Sequence, residues 1–235
     1  MVNFIILCGG LGTRFHEVSR TTPKILIEVE NGLSMLDWFL KIYLPKKSRV
    51  ILATGFLHEK IFNYVKNNNY NQKIIFSKED LPLGTGGAIC NASRFVDSEY
   101  FVALNGDTIQ ELNINTFLEK SKLNKNTIIN VGCSFKKKKD SGMVLIDDED
   151  YIKNFTEKKL PASPDKNQLK LVSSLGIYNC RSSFFQGLPL SNISLEQEII
   201  PKLVSQKKAK ATIFKHDFYD FGTFERYQKL FKGLS

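Results

Sequence analysis

Cysteine is scarce in this sequence and is spread thinly along it. The four cysteines, Cys8, Cys90, Cys133 and Cys180, are tens of residues apart, and none forms a CxxC pair. This spacing argues against a disulfide framework and against a zinc site, because both need cysteines at short, regular intervals. We expect buried free thiols.

Long hydrophobic runs are also missing. No apolar stretch approaches the roughly 20 residues that a helix needs to cross a bilayer. The first residues, Met1 to Asn3, lead into an apolar segment without the basic region and cleavage site of a secretory signal. We therefore expect a cytoplasmic protein with no membrane partner. Hydrophobic residues still make up 42% of the 235 residues, enough for a sizeable core.

Acidic residues are outnumbered, and the net charge is +9. Such a charge suits nucleic acid, anionic lipid or a small anionic substrate. The lysines are scattered except at Lys136–Lys139, and no nucleic-acid motif or basic amphipathic helix is present, so we expect no nucleic-acid partner. The Lys136–Lys139 run is interpreted as a solvated hairpin or strand edge, with phosphate steering as the alternative.

Short apolar segments alternate with helical ones along the chain, which predicts an α/β fold. The predicted strands are Asn3–Cys8, Arg49–Thr54, Lys73–Ser77, Tyr100–Asn105, Thr127–Phe135, Met143–Ile146, Tyr151–Thr156, Leu169–Tyr178 and Ala211–His216. The predicted helices are Met35–Leu44, His58–Lys66, Gly87–Val96, Asn113–Leu123, Ser194–Ser205 and Thr223–Phe231. We predict a doubly wound, mixed and mostly parallel sheet flanked by helices, Rossmann-like, in one domain over residues 1–235. Beyond residue 140 helices become rare, so the sheet should turn antiparallel or mixed there.

A glycine-rich loop follows the first predicted strand. Gly9, Gly10 and Gly12 let backbone N–H groups approach an anion, and Arg14 adds a permanently charged fork suited to phosphate. The dinucleotide fingerprint fails because Phe15 replaces its third glycine, and no GK[ST] sequence follows for a Walker A motif. The loop therefore indicates phosphate binding of another kind.

With Pro23-Lys24, this loop forms a longer pattern, G-G-L-G-T-R … T-P-K, which resembles the sugar-phosphate nucleotidylyltransferase family. Further matching motifs follow in order: Glu79 with Leu83–Gly87, Asn105–Asp107, Gly142, Phe155–Lys158, Gly176–Tyr178, Ser194–Glu196 and Asp220–Thr223. Within the family the chain most resembles the guanylyl branch that acts on D-glycero-α-D-manno-heptose 1-phosphate. The β-helical acyltransferase domain of some relatives is not expected.

The resemblance implies attack by a sugar 1-phosphate oxygen on the α-phosphorus of an NTP, with release of pyrophosphate. Both partners are anionic, so positioning and electrostatics should carry catalysis without a covalent nucleophile. It implies Arg14, Lys24 and Asp107 as catalytic residues, with Arg14 on the β,γ-phosphates and Lys24 between the reacting phosphates. The implied nucleotide-binding residues are Leu7, Gly9, Gly10, Gly12, Thr13, Arg14, Glu79, Gly84 and Thr85. The implied sugar-phosphate-binding residues are Lys24, Asn105, Gly142, Glu157, Lys158 and Ser174, with Glu157 accepting sugar hydroxyls and Lys158 meeting the phosphate.

Two carboxylates are candidate metal ligands. Asp107 directly follows the predicted strand Tyr100–Asn105, which places it over the crevice at the carboxyl end of a parallel sheet. Asp220 follows a second apolar stretch. Carboxylates with phosphate oxygens and water suit Mg²⁺, and the resemblance implies this same pair.

Glu79 stands where thymidylyl and uridylyl members of the family often have glutamine. A carboxylate can accept both neighbouring donors of guanine, N1–H and the exocyclic amine, which predicts GTP as the donor. The alternative is a solvated acid at a strand end, with backbone around Leu7 and Gly84 reading the base.

Ser174-Leu175-Gly176 departs from the Asn-Ala-Gly of many relatives, and the shorter serine suits a sugar bulkier than glucose. The product would be GDP-heptose, for capsule or lipopolysaccharide biosynthesis. A UDP- or GDP-hexose enzyme remains open, and so does a homodimer. A non-catalytic nucleotide-sugar-binding homologue is disfavoured because Arg14, Lys24, Asp107 and Asp220 are all present.

Overall fold

In the computed structural model, which describes residues 1–10, 12, 21–136, 141–156 and 169–231, strands and helices alternate along the first half of the chain. The strands are β1 (Val2–Leu7), β2 (Glu28–Glu30), β3 (Leu33–Ser34), β4 (Ser48–Thr54), β5 (Lys73–Lys78), β6 (Tyr100–Asn105), β7 (Thr108–Gln110), β8 (Ile129–Ser134), β9 (Met143–Ile146), β10 (Ile152–Thr156), β11 (Lys170–Arg181), β12 (Ala209–Phe214) and β13 (Phe218–Asp220). The helices are α1 (Met35–Asp37), continued by a π-helix over Trp38–Tyr43, α2 (His58–Lys66), α3 (Gly84–Ser93), α4 (Ile114–Lys120), α5 (Ser182–Gln186), a π-helix over Leu195–Ile199 continued by α6 (Ile200–Ser205), and α7 (Phe224–Phe231), with a 3-10 turn at Lys24–Leu26.

Within the described residues, nine strands form one mixed sheet. Four are parallel in the order β5-β4-β1-β6. The long strand β11 then runs antiparallel beside β6 and also pairs with β8 and β9. The predicted doubly wound, mixed α/β sheet is thus confirmed, including its antiparallel part after residue 140.

Both faces of this sheet are buried. Along β1, Phe4 belongs to a core cluster on one face with Leu52 and Leu104, whereas Ile5 belongs to a second cluster with Ala103. Successive side chains of a strand point to opposite faces, so a sheet covered on both sides needs strands that are apolar throughout.

Several boundaries differ from the prediction. Helix α3 begins at Gly84 rather than Gly87, because backbone N–H groups of Gly86 and Gly87 donate to the Ile193 carbonyl and anchor a glycine run that has low helix propensity. The strands β7 and β13 and the helix α5 were not predicted, since segments this short show no usable periodicity. The single-domain assignment stays a prediction.

The cysteine prediction is confirmed, with four free thiols of which only Cys8 is partly exposed. Lys136 is exposed and forms an ion pair with Asp217, while residues 137–139 of the lysine run lie outside the described residues. In the part of the chain that the structure describes, no helix is long and apolar enough to cross a bilayer.

Candidate active site

A cavity of about 870 Å³ opens at the carboxyl ends of β1 and β6. The chain builds the sheet outward from β1 through β4 to β5, and then returns to place β6 on the other side of β1. The two crossover directions diverge between β1 and β6, and such a switch point leaves a crevice where ligands bind.

Most of the predicted site residues that the structure describes meet in this cavity. Its lining includes Leu7, Gly9, Gly10, Gly12, Lys24, Glu79, Gly84, Thr85, Asn105 and Asp107. Gly142, Ser174 and Asp220 belong to the described part of the chain but not to the lining. Thr13, Arg14, Glu157 and Lys158 lie outside the described residues.

Lys24 and Asp107 form an ion pair inside the cavity. Pro23 precedes the 3-10 turn at Lys24–Leu26, and the Lys24 ammonium donates to Asp107 Oδ2 at 2.6 Å. The ammonium also lies 5.5 Å from the centre of the Phe221 ring. These two of the three predicted catalytic residues, 83 positions apart in the chain, therefore present a cation and a carboxylate at one point of the cavity.

A small ribbon of two antiparallel strands brings the backbone of Asp220 next to that of Asp107. β13 pairs with β7 so that Asp220 lies opposite Thr108, the residue after Asp107. The backbone N–H of Phe221 donates to the Asp107 carbonyl at 3.2 Å. The Asp220 Oδ1 atom accepts from Arg226 Nη1 at 2.5 Å and from the Gly222 N–H at 3.1 Å.

This donor set fits a hard divalent cation. Among the described residues no group of three or more histidine, cysteine or acidic side chains could hold a metal ion, so the candidate ligands in this part of the chain are the two predicted carboxylates, Asp107 and Asp220. Mg²⁺ is usually bound by one or two carboxylates together with substrate phosphates and water. Two carboxylates therefore match the number of protein ligands that such a site uses.

Glu79 projects into the cavity from just beyond β5. Its backbone N–H donates to the Thr54 carbonyl at 2.8 Å, and its Oε2 accepts from the Leu83 N–H at 3.1 Å. Burial raises the pKa of this carboxyl group. Glu79 is half-buried in the lining, which differs from the alternative of a fully solvated acid. Cys8, also in the lining, is not a thiolate nucleophile, because burial and then the Glu79 charge raise the pKa of its thiol.

Helix α3 begins at the cavity wall, and its first turn forms hydrogen bonds with Ile193, Leu195 and Glu196. Gly84 has φ of +68°, and a Cβ there would lie 2.7 Å from the Ile193 carbonyl oxygen. The Thr85 hydroxyl donates to Glu196 Oε2 at 2.6 Å and accepts from the Leu195 N–H at 2.9 Å. The Thr85 hydroxyl is therefore engaged within the protein, and backbone is what this residue offers to a ligand.

Glu196 is a cavity-lining residue that the sequence prediction gave no role. It is only 7% exposed and also accepts from the Tyr178 hydroxyl at 3.2 Å. Burial, followed by the Glu196 charge, raises the pKa of Tyr178, so this hydroxyl stays protonated and donates. The sequence signal that could have drawn attention to Glu196 is the Ser194–Glu196 motif. In the structure, Ser194 Oγ caps the helix that follows by accepting from the Gln197 N–H at 3.1 Å.

Three of the predicted sugar-binding residues, Asn105, Gly142 and Ser174, lie at the end of β6, just before β9 and within β11. The Ser174 N–H donates to the Gly142 carbonyl at 2.7 Å, and Ser174 Oγ accepts from the Gly176 N–H at 3.2 Å. Gly176 has φ of +67°, and a Cβ there would meet the Asn105 side chain at 2.9 Å. Asn105 Oδ1 is buried and has no hydrogen-bond partner among the described residues, so a ligand hydroxyl or water would satisfy it.

Comparison with known proteins gives consistent results. The family model described as Nucleotidyl transferase matches residues 3–235. D-glycero-alpha-D-manno-heptose 1-phosphate guanylyltransferase from Campylobacter jejuni is 35% identical, over 95% of this chain and 96% of its own length. The enzyme of the same name from Aneurinibacillus thermoaerophilus is 32% identical, over 98% and 97%. The crystal structure of HddC from Yersinia pseudotuberculosis complexed with GMP-PN has a TM-score of 0.78 and 28% identity, and covers 100% of both chains.

Proposed function

The chain belongs to the nucleotidyl transferase family, and on this premise we propose that it transfers GMP from GTP to D-glycero-α-D-manno-heptose 1-phosphate. The products are GDP-heptose and pyrophosphate. The two guanylyltransferase relatives, similar over nearly their full length, support this donor and acceptor. The observation that carries the proposal is the Lys24–Asp107 pair at the switch point of the sheet.

The reaction exchanges one P–O bond for another. An oxygen of the sugar 1-phosphate attacks the α-phosphorus of GTP, and the bond from that phosphorus to the β-phosphate oxygen breaks with pyrophosphate leaving. The main obstacle is repulsion between two anions. Lys24, which is only 17% exposed in its side chain, supplies positive charge where the two phosphates meet, and a fixed charge in a partly desolvated site is worth more than in water.

Mg²⁺ is the proposed cofactor, and Asp107 and Asp220 are its proposed ligands. When bound, it would neutralise charge on the phosphates. Asp107 also accepts a hydrogen bond from the Lys24 ammonium, so the same carboxylate holds this lysine side chain in the cavity. Arg14 is proposed to hold the leaving β,γ-phosphates, beside the backbone of Gly9, Gly10 and Gly12.

Glu79 is proposed to read the guanine base. Its carboxylate oxygens can accept from N1–H and from the exocyclic amine, whereas a glutamine amide presents a donor at one end. Its place in the cavity lining supports this role, and so does its hydrogen bonding, since among the described residues the Leu83 N–H engages Oε2 and no hydrogen bond is seen at Oε1.

The sugar is proposed to bind over the ends of β6 and β11. Asn105 Oδ1 offers a buried acceptor without a partner among the described residues, and the short Ser174 side chain leaves room beside it. Glu157 is proposed to accept from the sugar hydroxyls, and Lys158 is proposed to bind the sugar phosphate. A cytoplasmic location and a role in capsule or lipopolysaccharide biosynthesis are proposed as well.

The test is a matrix of nucleotides and sugar 1-phosphates with pyrophosphate release as the readout. GTP with the heptose 1-phosphate should have the highest kcat/KM, above mannose 1-phosphate and glucose 1-phosphate. Glu79→Gln should lower the GTP-to-UTP preference by about 1–3 kcal/mol, the cost of an unsatisfied buried polar group. Glu149→Gln, at an exposed turn, is the matched control. A wild type that prefers UTP, or uses hexose 1-phosphates better, would contradict the proposal.

A further inference from the structure

We infer that Gly55 is a specificity-determining positioning residue, because its missing side chain leaves the space in which the Glu79 carboxylate lies. The inference rests on the proposed function, in which Glu79 reads guanine. Gly55 follows β4 directly and lines the same cavity.

The sheet brings the two residues together. β4 and β5 are parallel neighbours with Thr54 opposite Lys78, so the next residues, Gly55 and Glu79, leave the sheet side by side. The Glu79 N–H is tied to the Thr54 carbonyl at 2.8 Å. The Glu79 side chain packs directly over Gly55, and both residues line the cavity.

A methyl group at position 55 would collide with this side chain. A Cβ built there lies 2.6 Å from Glu79 Oε1, 2.9 Å from its Cγ and 3.1 Å from its Cδ. Distances under 3.0 Å are essentially never seen for real Cβ atoms. All three nearest atoms belong to Glu79, so Glu79 is what must move.

Backbone conformation does not explain this glycine. The glycines with positive φ among the described residues are Gly12, Gly32, Gly84 and Gly176, and Gly55 is not one of them. Alanine at position 55 therefore meets no backbone strain, and the obstacle is a flexible side chain. Gly9 is a less clean probe, since a Cβ there would meet the Gly55 backbone nitrogen at 3.0 Å as well as Glu79 Oε1 at 2.5 Å.

We expect a side chain at position 55 to disturb recognition of the base without disturbing the phosphate-transfer residues. Displacing the Glu79 carboxylate breaks its alignment with the two guanine donors but leaves Lys24 and Asp107 untouched. Gly55→Ala should therefore lower kcat/KM for GTP much more than for UTP. The GTP-to-UTP ratio should fall by about 5- to 150-fold, the loss expected when a buried polar contact is broken.

The experiment is a double-mutant cycle on kcat/KM for GTP and UTP, using wild type, Gly55→Ala, Glu79→Ala and the double variant. Because Gly55 acts through Glu79, Gly55→Ala should change the ratio in the wild-type background and leave it unchanged in the Glu79→Ala background. Gly187→Ala is the matched control, at a glycine outside the cavity lining where a Cβ would be no closer than 3.3 Å to its neighbours.

The outcomes distinguish a failure of the proposed function from a failure of the role of Gly55. A wild type without GTP preference overturns the proposed function and this inference with it. A wild type that prefers GTP, with a ratio unchanged by Gly55→Ala and lowered by Glu79→Ala, overturns this inference alone. If Gly55→Ala does not fold, the double variant should fold because the colliding atoms are gone. Failure of both to fold would overturn the inference.

Discussion

Replacing Asp37 by asparagine should destabilise the fold strongly near neutral pH. Asp37 is 2% exposed at the start of the long helical segment that begins with α1. Its Oδ2 accepts from Ser34 Oγ at 2.7 Å and from the Tyr64 hydroxyl, and its Oδ1 accepts from Lys41 Nζ at 2.6 Å and from the Tyr70 hydroxyl at 3.0 Å. An asparagine would turn an NH₂ group toward one of these sets of donors.

The expected magnitude follows from the pKa of Asp37. Burial opposes ionisation, but the hydrogen bonds from Lys41, Tyr64 and Ser34 outweigh it and lower the pKa from 3.8 to about 2. Each pKa unit is worth about 1.4 kcal/mol, so ionised Asp37 contributes about 2–3 kcal/mol to the free energy of unfolding. For a domain of this size, that corresponds to a drop in Tm of roughly 5–10 °C.

The sign of the pH dependence is defined by the lowered pKa. The folded-state pKa lies below the unfolded value, so the contribution is complete well above pH 3.8 and is lost as the pH falls toward about 2. About half of the difference between wild type and Asp37→Asn should be gone by about pH 3.

Urea unfolding followed by tryptophan fluorescence is the direct assay. The chain has one tryptophan, Trp38, which is next to Asp37 and stacks on Tyr43 with ring centres 4.7 Å apart. Asp148→Asn is the control, since Asp148 is 77% exposed in its ion pair with Lys170 and should cost at most about 1 kcal/mol. A free energy of unfolding within about 0.5 kcal/mol of wild type near pH 7, or a difference from wild type that does not shrink in acid, would contradict this prediction.

Three further predictions concern the cavity. Lys24→Ala should lower turnover by about 10²–10³-fold with little change in GTP affinity, whereas Arg14→Ala should weaken GTP binding as well, as measured by calorimetric titration; unchanged affinity in the Arg14 variant would contradict its role. Activity should be lost in excess EDTA and reduced about 10²–10³-fold by Asp107→Asn and by Asp220→Asn, and full pyrophosphate release in the chelator would rule out the metal. Glu196→Gln should lower the free energy of unfolding by about 1–3 kcal/mol, because the amide has one acceptor end and cannot accept from both the Thr85 and the Tyr178 hydroxyls. An unchanged urea midpoint would contradict this prediction.

The sheet and the loops at its carboxyl edge could be predicted because their signals are local. β6 was predicted with its true bounds, Tyr100–Asn105, since a strand buried on both faces is a continuous apolar run. Once such strands are placed, the residues that follow them must share one edge. This is how Asp107 was placed over the crevice without knowledge of any contact, whereas Glu79 was assigned to the base only through the family resemblance.

The approach of Asp220 to Asp107 could not be derived from local pattern. It depends on β7 and β13, each of three residues, paired across more than a hundred positions of sequence. Strands of this length show no alternation that could be distinguished from loop, so only the family resemblance suggested the pair.

Glycine is the residue type whose purpose the sequence leaves most ambiguous. Gly84 is required by its own backbone, at φ of +68°, whereas Gly55 is required by the side chain of another residue, Glu79. Gly55 follows a predicted strand and Gly84 precedes a predicted helix, so the sequence alone does not distinguish the two roles. Backbone strain depends on the residue itself, but lack of space depends on a neighbour in the fold, here one 24 positions away on the adjacent strand end. The glycines that set specificity by leaving space for a functional side chain are therefore found only when the structure shows which side chain occupies that space.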